Sequence, residues 1–320
     1  MRKLSFLIFI TFLTRTAFSQ CCSPGNPIGG TTNIGILDKK TFRLIAFYRY
    51  SYSDGYYKGS KKSNSSFVKD AKFNYAGLVL SYGLLNKLTI ETELGYFINK
   101  SQTYNVDPLY TNTGYGLNNG VFSLKYNLIS KKEKPLEWTI GVGVKFPFIK
   151  KYQIVNNVEL PRDVQPSTNA FGIVAQSFLY KGIPEKKMKL FFINRFETNY
   201  PDYKYFKYGN FLSSSLFLTK SLGNSDFTAI IQVRHEYRGK DLTNANVQSP
   251  FANGDIVKAS GGNLIFIAPQ INYTFAKKWN LSLLADIPVY RYYNETQLGN
   301  KFSVALYLSR DFGGKCEKKE

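Results

Sequence analysis

KFSVALYLSRDF, residues 301–312, alternates apolar and polar side chains close to the C-terminus. Positions 302, 304, 306, 308 and 312 carry Phe, Val, Leu, Leu and Phe, whereas Ser, Ala, Tyr, Ser and Asp occupy 303, 305, 307, 309 and 311. This period of two predicts a β-strand with one apolar face. That face would pack into a core in a soluble sandwich and would contact lipid in a membrane barrel. The rest of the chain distinguishes the two folds.

The first nineteen residues have the pattern of a secretory signal. Arg2 and Lys3 precede an apolar run over residues 4–13, and Ala17-Phe18-Ser19 fits a small-x-small cleavage site. A helix needs about 20 apolar residues to span a bilayer, so this run is too short to do so. We therefore predict that residues 1–19 are a signal peptide and that the protein is exported. Lipidation of Cys21 is the alternative.

The composition indicates the partners that an exported chain would meet. The net charge is +20, but the lysines are scattered in polar segments such as residues 58–66, KGSKKSNSS, and do not line one helix face. Export also argues against nucleic acid as a partner. We expect outer-membrane lipid and glycolipid, whose phosphates accept charge-assisted hydrogen bonds. The alternative is that these lysines are solvated charges that only aid solubility.

All three cysteines lie at the ends of the chain, at positions 21, 22 and 316. An odd number in an exported protein leaves one thiol over. A disulfide from Cys21 or Cys22 to Cys316 would tie the two termini together, and free terminal thiols are the alternative. One histidine and these cysteines cannot supply a tetrahedral ligand set, so the sequence predicts no metal site and no cofactor.

Twelve strands with unequal connections follow from the alternation. The odd-numbered connections are often long, as at 53–69, 101–114, 150–169 and 239–257, and every even-numbered one is short. Long extracellular loops and short periplasmic turns are typical of outer-membrane barrels, and an even strand number places both termini in the periplasm. A Cys/Gly/Pro-rich segment (20–40) would precede the barrel (41–312), and a short tail (313–320) would follow it. The predicted strands are 41–52, 70–83, 87–100, 115–130, 136–149, 170–181, 187–199, 205–220, 226–238, 258–276, 278–293 and 297–312.

Aromatic residues at the ends of the apolar faces favour the membrane barrel. Trp138 and Trp279, the only two tryptophans, each begin a strand that leaves a short turn, on its apolar parity. They would lie at the periplasmic interface, where amphipathic aromatics concentrate. We predict an all-β fold, a transmembrane antiparallel β-barrel of about twelve strands in the outer membrane. The opposite, extracellular belt of interface aromatics would contain Tyr48, Tyr50, Tyr52 and Tyr96.

Charged residues occur in mid-strand on the opposite parity, which a barrel would turn toward its lumen. Acids and bases alternate around this wall, so they could form a salt-bridge network that fills and stiffens the lumen. The same residues could form a constriction that selects solutes, as charged rings do in pores. The predicted lumen residues are Arg43, Arg49, Glu91, Glu93, Lys125, Lys145, Arg195, Glu197, Arg234, Glu236 and Asp286.

An enzymatic alternative depends on His235, the only histidine, which falls on the outward parity. An outer-membrane lipase places a Ser–His pair on its lipid-facing side, and three serines occur at 213–215. The HEYRG context lacks the Ser-Asn-Gly surroundings of such lipases. We therefore predict no catalytic residue and no enzyme activity.

The C-terminal third resembles the outer-membrane family labelled for the MetA pathway of phenol degradation, whose members are called transporters. The resemblance covers about the last sixty residues specifically and the rest only in architecture. It implies a barrel of roughly twelve strands that moves small, aromatic or otherwise hydrophobic compounds. The matching features are Gly261-Gly262, Ala268-Pro269, Pro288-Val289-Tyr290-Arg291, Gln297-Leu298-Gly299 and the N-terminal CCSPGNP.

The predicted function is passive, porin-like passage of a small solute through a monomeric barrel, by the charge-lined lumen or by a lateral opening. Pro269 and Pro288 lie inside regular strands and remove ladder donors, so they could mark a gap in the wall. The alternative is a plugged structural or surface-binding barrel that contacts glycolipid or a partner protein.

Overall fold

The computed structural model describes residues 35–131, 135–223, 225–276 and 279–313. The predicted signal peptide, the three cysteines and the tail from 314 onward lie outside these ranges. The described ranges contain no helix with the length and hydropathy that crossing a membrane requires.

β-Strands make up nearly all of the regular structure. Two short 3-10 helices occur among the described residues, Arg162–Val164 and Pro184–Lys186. The strands are β1 (Thr41–Gly59), β2 (Lys61–Ser63), β3 (Val68–Leu85), β4 (Leu88–Tyr104), β5 (Tyr110–Leu117), β6 (Gly120–Lys131), β7 (Leu136–Phe146), β8 (Ile154–Val155), β9 (Val158–Glu159), β10 (Gly172–Ile183), β11 (Met188–Asn199), β12 (Phe211–Ser221), β13 (Phe227–Arg238), β14 (Leu242–Thr243), β15 (Asp255–Ile256), β16 (Gly262–Phe275) and β17 (Trp279–Gly313).

Eleven of these elements form one closed antiparallel wall. Their order is β17-β16-β13-β12-β11-β10-β7-β6-β4-β3-β1, and β17 pairs with β1 to close it. The closing register runs from Thr41↔Gly313 to Gly59↔Tyr293. β2 extends the wall beside β1 and β5 pairs with β4, while β8–β9 and β14–β15 are separate small hairpins. Closure leaves the wall with no unpaired edge strand.

The last element crosses the wall twice. Residues 279–293 pair with β16, and residues 296–313 pair with β1. Because every neighbouring pair in the wall is antiparallel, these two passes must run in opposite directions. The chain therefore reverses near Asn294 and Glu295, where Glu295 has a positive φ of 54°. Eleven elements thus make twelve passes, which confirms the predicted barrel of about twelve strands.

The two faces of the wall differ as the opening stretch predicts. Phe302, Val304 and Leu306 are 37–45% exposed, whereas Ser303 and Ala305 are 1% exposed. The apolar parity of residues 301–312 therefore points away from the barrel interior, and the small polar parity points into it. A soluble sandwich would bury the apolar parity instead.

Several strand boundaries differ from the sequence prediction by a few residues, and three of the differences have a local explanation. The predicted strand 115–130 is interrupted at Asn118-Asn119, because the Asn119 side chain bonds the backbone of Ala170 and Thr168. The strand expected from 205 begins at Phe211, because the Asp202 carboxylate accepts backbone N–H groups from Lys204 and Phe206. β1 continues beyond position 52 to Gly59, paired with β2 and β17.

Candidate functional site: the charged lumen and its roof

The predicted lumen residues all occur in ion pairs, and several of these pairs join strands that are not neighbours in the wall. We name the two largest groups after their central residues. The Asp286 cluster comprises Arg49, Arg234, Glu236 and Asp286. The Arg195 cluster comprises Glu93, Lys145, Arg195 and Glu197.

In the Asp286 cluster one carboxylate lies between two guanidinium groups. Asp286 is 0% exposed, and its Oδ2 and Oδ1 accept hydrogen bonds from Arg49 Nη2 at 2.6 Å and Arg234 Nη1 at 2.9 Å. Arg234 Nε also donates to Glu236 Oε1 at 2.9 Å. Arg234 lies over the ring of Phe266, with its Cζ 4.5 Å from the ring centroid. The cluster joins β1, β13 and the first pass of β17.

In the Arg195 cluster one guanidinium lies between two carboxylates. Arg195 Nη1 donates to Glu93 Oε1 and Arg195 Nε to Glu197 Oε1, both at 2.7 Å. Lys145 Nζ is 3.0 Å from Glu197 Oε2. β4 and β11, which carry Glu93 and Arg195, are separated by β6, β7 and β10 in the wall. The Glu93–Arg195 pair therefore crosses the lumen.

Two smaller pairs lie nearer the short-turn end. Lys125 Nζ is 2.6 Å from Glu91 Oε1, and Ser81 Oγ donates to the same carboxylate. Arg43 makes a two-point bond to Asp311, at 2.6 and 2.7 Å. Asp311 was not among the predicted lumen residues, although its inward parity indicated that position.

Aromatic side chains fill much of the remaining lumen, and the sequence analysis missed them. One buried cluster includes Phe47, Phe73, Tyr75, Phe97 and Tyr307. A second includes Phe178, Phe191 and Phe217, and Lys125 Nζ lies 4.4 Å from the Phe178 ring centroid. These residues share the inward parity with the charges, so parity could have identified them. The lumen is thus packed by rings as well as by ion pairs.

The connection between β7 and β10, residues 147–171, folds over the end of the lumen that carries the long connections, and we call it the roof loop. Val164 and Gln165 are 1% and 2% exposed. Lys100 Nζ donates to the Gln165 carbonyl at 3.0 Å, and Gly114 lies so close to the Val164 carbonyl that a Cβ there would be 2.0 Å from its oxygen. The roof loop is therefore packed against β4 and β5.

A side-chain latch holds the roof loop to the connection between β11 and β12. The Tyr152 hydroxyl donates to Asp202 and accepts from Arg162 Nε, and the Arg162 guanidinium lies 4.1 Å from the Phe206 ring centroid. Burial, reinforced by the Asp202 carboxylate, raises the pKa of Tyr152 above its usual value. The phenol therefore stays protonated and keeps its hydrogen bond to Asp202.

Two cavities in the described part of the chain border the clusters, and the larger also borders the roof loop. The larger, which we call the roof cavity, has a volume of about 150 Å³ and is lined by the Arg195 cluster, by roof-loop residues 162, 163 and 165–168, and by Arg238. The smaller, of about 40 Å³, is lined by Arg49, Arg234 and Arg238 among others. Arg238 lines both. The Arg195 cluster and the Asp286 cluster therefore each border a cavity of their own.

The predicted interface aromatics lie on the outward faces. Trp138 and Tyr48 are 39% and 42% exposed, and Trp138 Nε1 donates to Ser177 Oγ at 3.0 Å. Trp279 lies next to Phe275 and Phe312, and the Arg310 guanidinium lies 5.0 Å from its ring centroid. Tyr50, Tyr52 and Tyr96 also take the outward parity. Since β1 extends to Gly59, the first-strand tyrosines lie within the strand and not at its end.

The Ser–His arrangement of the enzymatic alternative is only partly assembled. Ser214 and His235 are direct cross-strand partners on the outward face. The Ser214 hydroxyl, however, donates to Asn194 Oδ1 at 2.7 Å, and His235 Nε2 is 3.2 Å from Asn263 Oδ1. A nucleophile must be hydrogen-bonded to its base.

The part of the chain that the structure describes contains no cluster of three or more His, Cys, Asp or Glu side chains suited to a metal ion.

The wall is irregular at Pro269 and Pro288, the two prolines that the sequence analysis places inside strands. β16 and β17 pair at Ile267↔Ile287 and again at Gln270↔Leu284, and the pairing lapses at Ala268 and Pro269 between them. A register shift follows Ile265, next to the Phe266↔Pro288 pair. Both features follow from the missing N–H donor of proline. The β16–β17 seam is thus weaker in hydrogen bonds than a regular ladder.

Comparison with solved structures identifies the class of fold. The chain is similar to an outer membrane channel from Pseudomonas putida F1, with a TM-score of 0.65 and 14% identity over 91% of this chain and 100% of that one. The CymD monoaromatic hydrocarbon channel matches with a TM-score of 0.40 and 8% identity, over 87% of this chain and 90% of that one. No protein-family model matches, and no curated protein matches. The fold is that of the outer-membrane β-barrels.

Proposed function

We propose that this chain is an outer-membrane barrel that lets a small solute pass through its lumen, and that the structure describes a closed state. The observation that carries the proposal is the roof cavity, which lies between a cross-lumen ion-pair cluster and a roof loop held by side-chain contacts. A barrel with a solely structural role has no need for an internal cavity with charged and aromatic walls. Displacement of the roof loop would open this cavity to the outside.

The solute in this proposal is a small aromatic or otherwise hydrophobic compound. Rings of Tyr75, Phe97 and Phe211 line the roof cavity beside its charges. These rings form the apolar part of a wall that is otherwise largely polar, and an aromatic solute would pack against them. The phenol-degradation resemblance of the C-terminal third agrees with this solute class.

Conductance in a planar bilayer tests the proposal. Replacing residues 150–169 with a short Gly/Ser linker removes most of the roof, and we expect a several-fold larger single-channel conductance than that of the unaltered protein. The matched control replaces residues 106–109, which are all exposed between β4 and β5, with the same linker and leaves conductance unchanged. Silence of the roof-loop variant in a correctly folded barrel would contradict passage through the lumen.

A lateral exit through the β16–β17 seam is the second route within this proposal. Changing Pro269 and Pro288 to Val restores ladder donors, and we expect it to slow uptake of a neutral aromatic compound into proteoliposomes. Unchanged uptake of every compound tested would rule out the lateral route, and the lumen would then be the one route left in this proposal.

The alternative, a plugged structural or surface-binding barrel, is favoured by the dense aromatic packing of the lumen. In it, exposed lysines such as Lys61 and Lys62 on β2 would engage the phosphates of glycolipid. Closure of the wall by β1 and β17 of one chain supports a monomer in either case, because no edge strand needs a partner. If both loop variants bind glycolipid normally and never conduct, this alternative replaces passage.

A further inference from the structure

The roof cavity has a size that suits one aromatic ring. Its volume is about 150 Å³, and an engineered apolar cavity of about that volume in another protein binds benzene. Aromatic side chains from three strands, Tyr75, Phe97 and Phe211, form part of its wall. Rings packed at such a wall favour another ring, in stacked or edge-on contact.

The charge on the cavity wall is unbalanced. Five Lys and Arg side chains line it against three Asp and Glu side chains, which leaves a formal excess of two positive charges. Both carboxylates of the Arg195 cluster already form ion pairs, since Arg195 contacts Glu93 and Glu197 and Lys145 contacts Glu197. Excess positive charge in a confined site favours an anionic ligand.

Arg238 is the cation best placed to bind that ligand. It is the last residue of β13 and lines both cavities. Its guanidinium lies 5.0 Å from the Phe211 ring centroid, and among the described residues it makes no ion pair. A guanidinium fixed against a ring, with its donors uncommitted, can bind a carboxylate through two parallel hydrogen bonds.

We propose that the roof cavity binds a single-ring aromatic carboxylate, with the ring among Tyr75, Phe97 and Phe211 and the carboxylate on Arg238. This inference rests on the proposed function, since the ligand would be the solute that passes. It narrows the solute from aromatic compounds in general to aromatic acids. The neutral wall of a purely hydrophobic channel would show no such preference.

Isothermal titration of the purified protein in dodecyl maltoside at pH 7.5 tests the inference with three probes. Sodium benzoate has both ring and charge, benzyl alcohol has the ring alone, and sodium acetate has the charge alone. We expect benzoate to bind with 1:1 stoichiometry and the other two to bind at least about tenfold more weakly, which corresponds to one charge-assisted bidentate contact. Equal binding of benzoate and benzyl alcohol, or no binding of benzoate, would overturn the proposal.

Two variants locate the site. Arg238→Gln should weaken benzoate binding about tenfold or more and leave benzyl alcohol unaffected. Arg310→Gln, which removes an arginine from the outward face, is the matched control and should change neither. Val121→Phe adds a ring at the cavity wall and should abolish benzoate binding, with folding checked by heat-modifiable migration in gels. If Arg238→Gln binds benzoate as the unaltered protein does, the assignment of Arg238 is wrong.

Failure of this site and failure of passage give different results. Conductance of the roof-loop variant is measured in KCl without benzoate, so it reports the lumen and not the ligand. If benzoate binds but the roof-loop variant does not conduct, the ligand site is supported and passage through the lumen is contradicted. If the roof-loop variant conducts but benzoate does not bind, passage is supported and the ligand site is contradicted.

Discussion

The Asp286 cluster and the Arg195 cluster have opposite charge arrangements in one lumen. The first places a carboxylate between two arginines, and the second places an arginine between two carboxylates. The first borders a cavity of about 40 Å³ and the second a cavity of about 150 Å³ beneath the roof loop. The difference suggests a division of roles: the Asp286 cluster mainly holds the wall together, whereas the Arg195 cluster also borders the larger cavity, which the proposed solute would enter.

The consequences of losing each central residue differ for the same reason. Without Asp286, Arg49 loses its ion-pair partner in the cluster, and Arg234 keeps only Glu236. Without Arg195, Glu93 loses its salt bridge, but Glu197 keeps Lys145. A buried charge left without a partner costs far more than the intact pair contributes.

The largest effect is expected for Asp286→Ala. It leaves two buried guanidinium groups with one carboxylate, so we expect a loss of about 3–5 kcal/mol in the free energy of unfolding. Urea unfolding in lipid vesicles, followed by tryptophan fluorescence, measures it. Asp311→Ala is the control, because Asp311 pairs with Arg43 but its side chain is 36% exposed. Equal losses in the two variants would show that burial does not set the cost.

Arg195→Met should have a smaller effect on stability and a larger effect on conductance. It leaves one buried carboxylate, Glu93, without an ion-pair partner, so we expect a loss of about 3 kcal/mol in the free energy of unfolding. It also removes the cation that joins β4 to β11 across the lumen, so single-channel conductance should rise. Arg234→Met makes the corresponding change in the Asp286 cluster. It should destabilise the barrel but raise conductance less than Arg195→Met does.

The latch of the roof loop should respond to Tyr152→Phe. The change removes the donor to Asp202 and the acceptor for Arg162, a loss of about 1–3 kcal/mol in the local free energy of opening. Limited trypsin digestion, which cuts after Lys150, Lys151 and Arg162 in this loop, should become faster. Tyr115→Phe alters a tyrosine that is 53% exposed and serves as the control. Identical digestion rates would mean that the latch does not hold the roof.

The smallest effect is expected for Lys204→Ala. Its pair with Glu159 has a distance of 2.6 Å, but the two side chains are 40% and 38% exposed. Exposed pairs contribute about 0–1 kcal/mol, so the unfolding midpoint should hardly move. A loss as large as that of Arg195→Met would contradict the view that the buried clusters dominate.

Much of this barrel could be predicted from the sequence because β-structure encodes its faces locally. The side chains of a strand alternate strictly, so parity by itself assigned residues such as Glu93, Arg195 and Asp286 to the lumen side. Turn residues and loop lengths likewise set the number of passes. Boundaries were wrong where side chains outside the strands took over backbone hydrogen bonds, as Asn119 and Asp202 do.

The tertiary structure alone decided which lumen residues meet. Glu93 and Arg195 are 102 positions apart, and Arg49 and Asp286 are 237 apart. Their contact depends on the stagger with which the closed wall aligns strands, and alternation within one strand carries no information about that stagger. For the same reason, the sequence determined the two faces of this barrel, whereas only closure decided how the aromatic clusters pack in the lumen and where the roof loop borders the larger cavity.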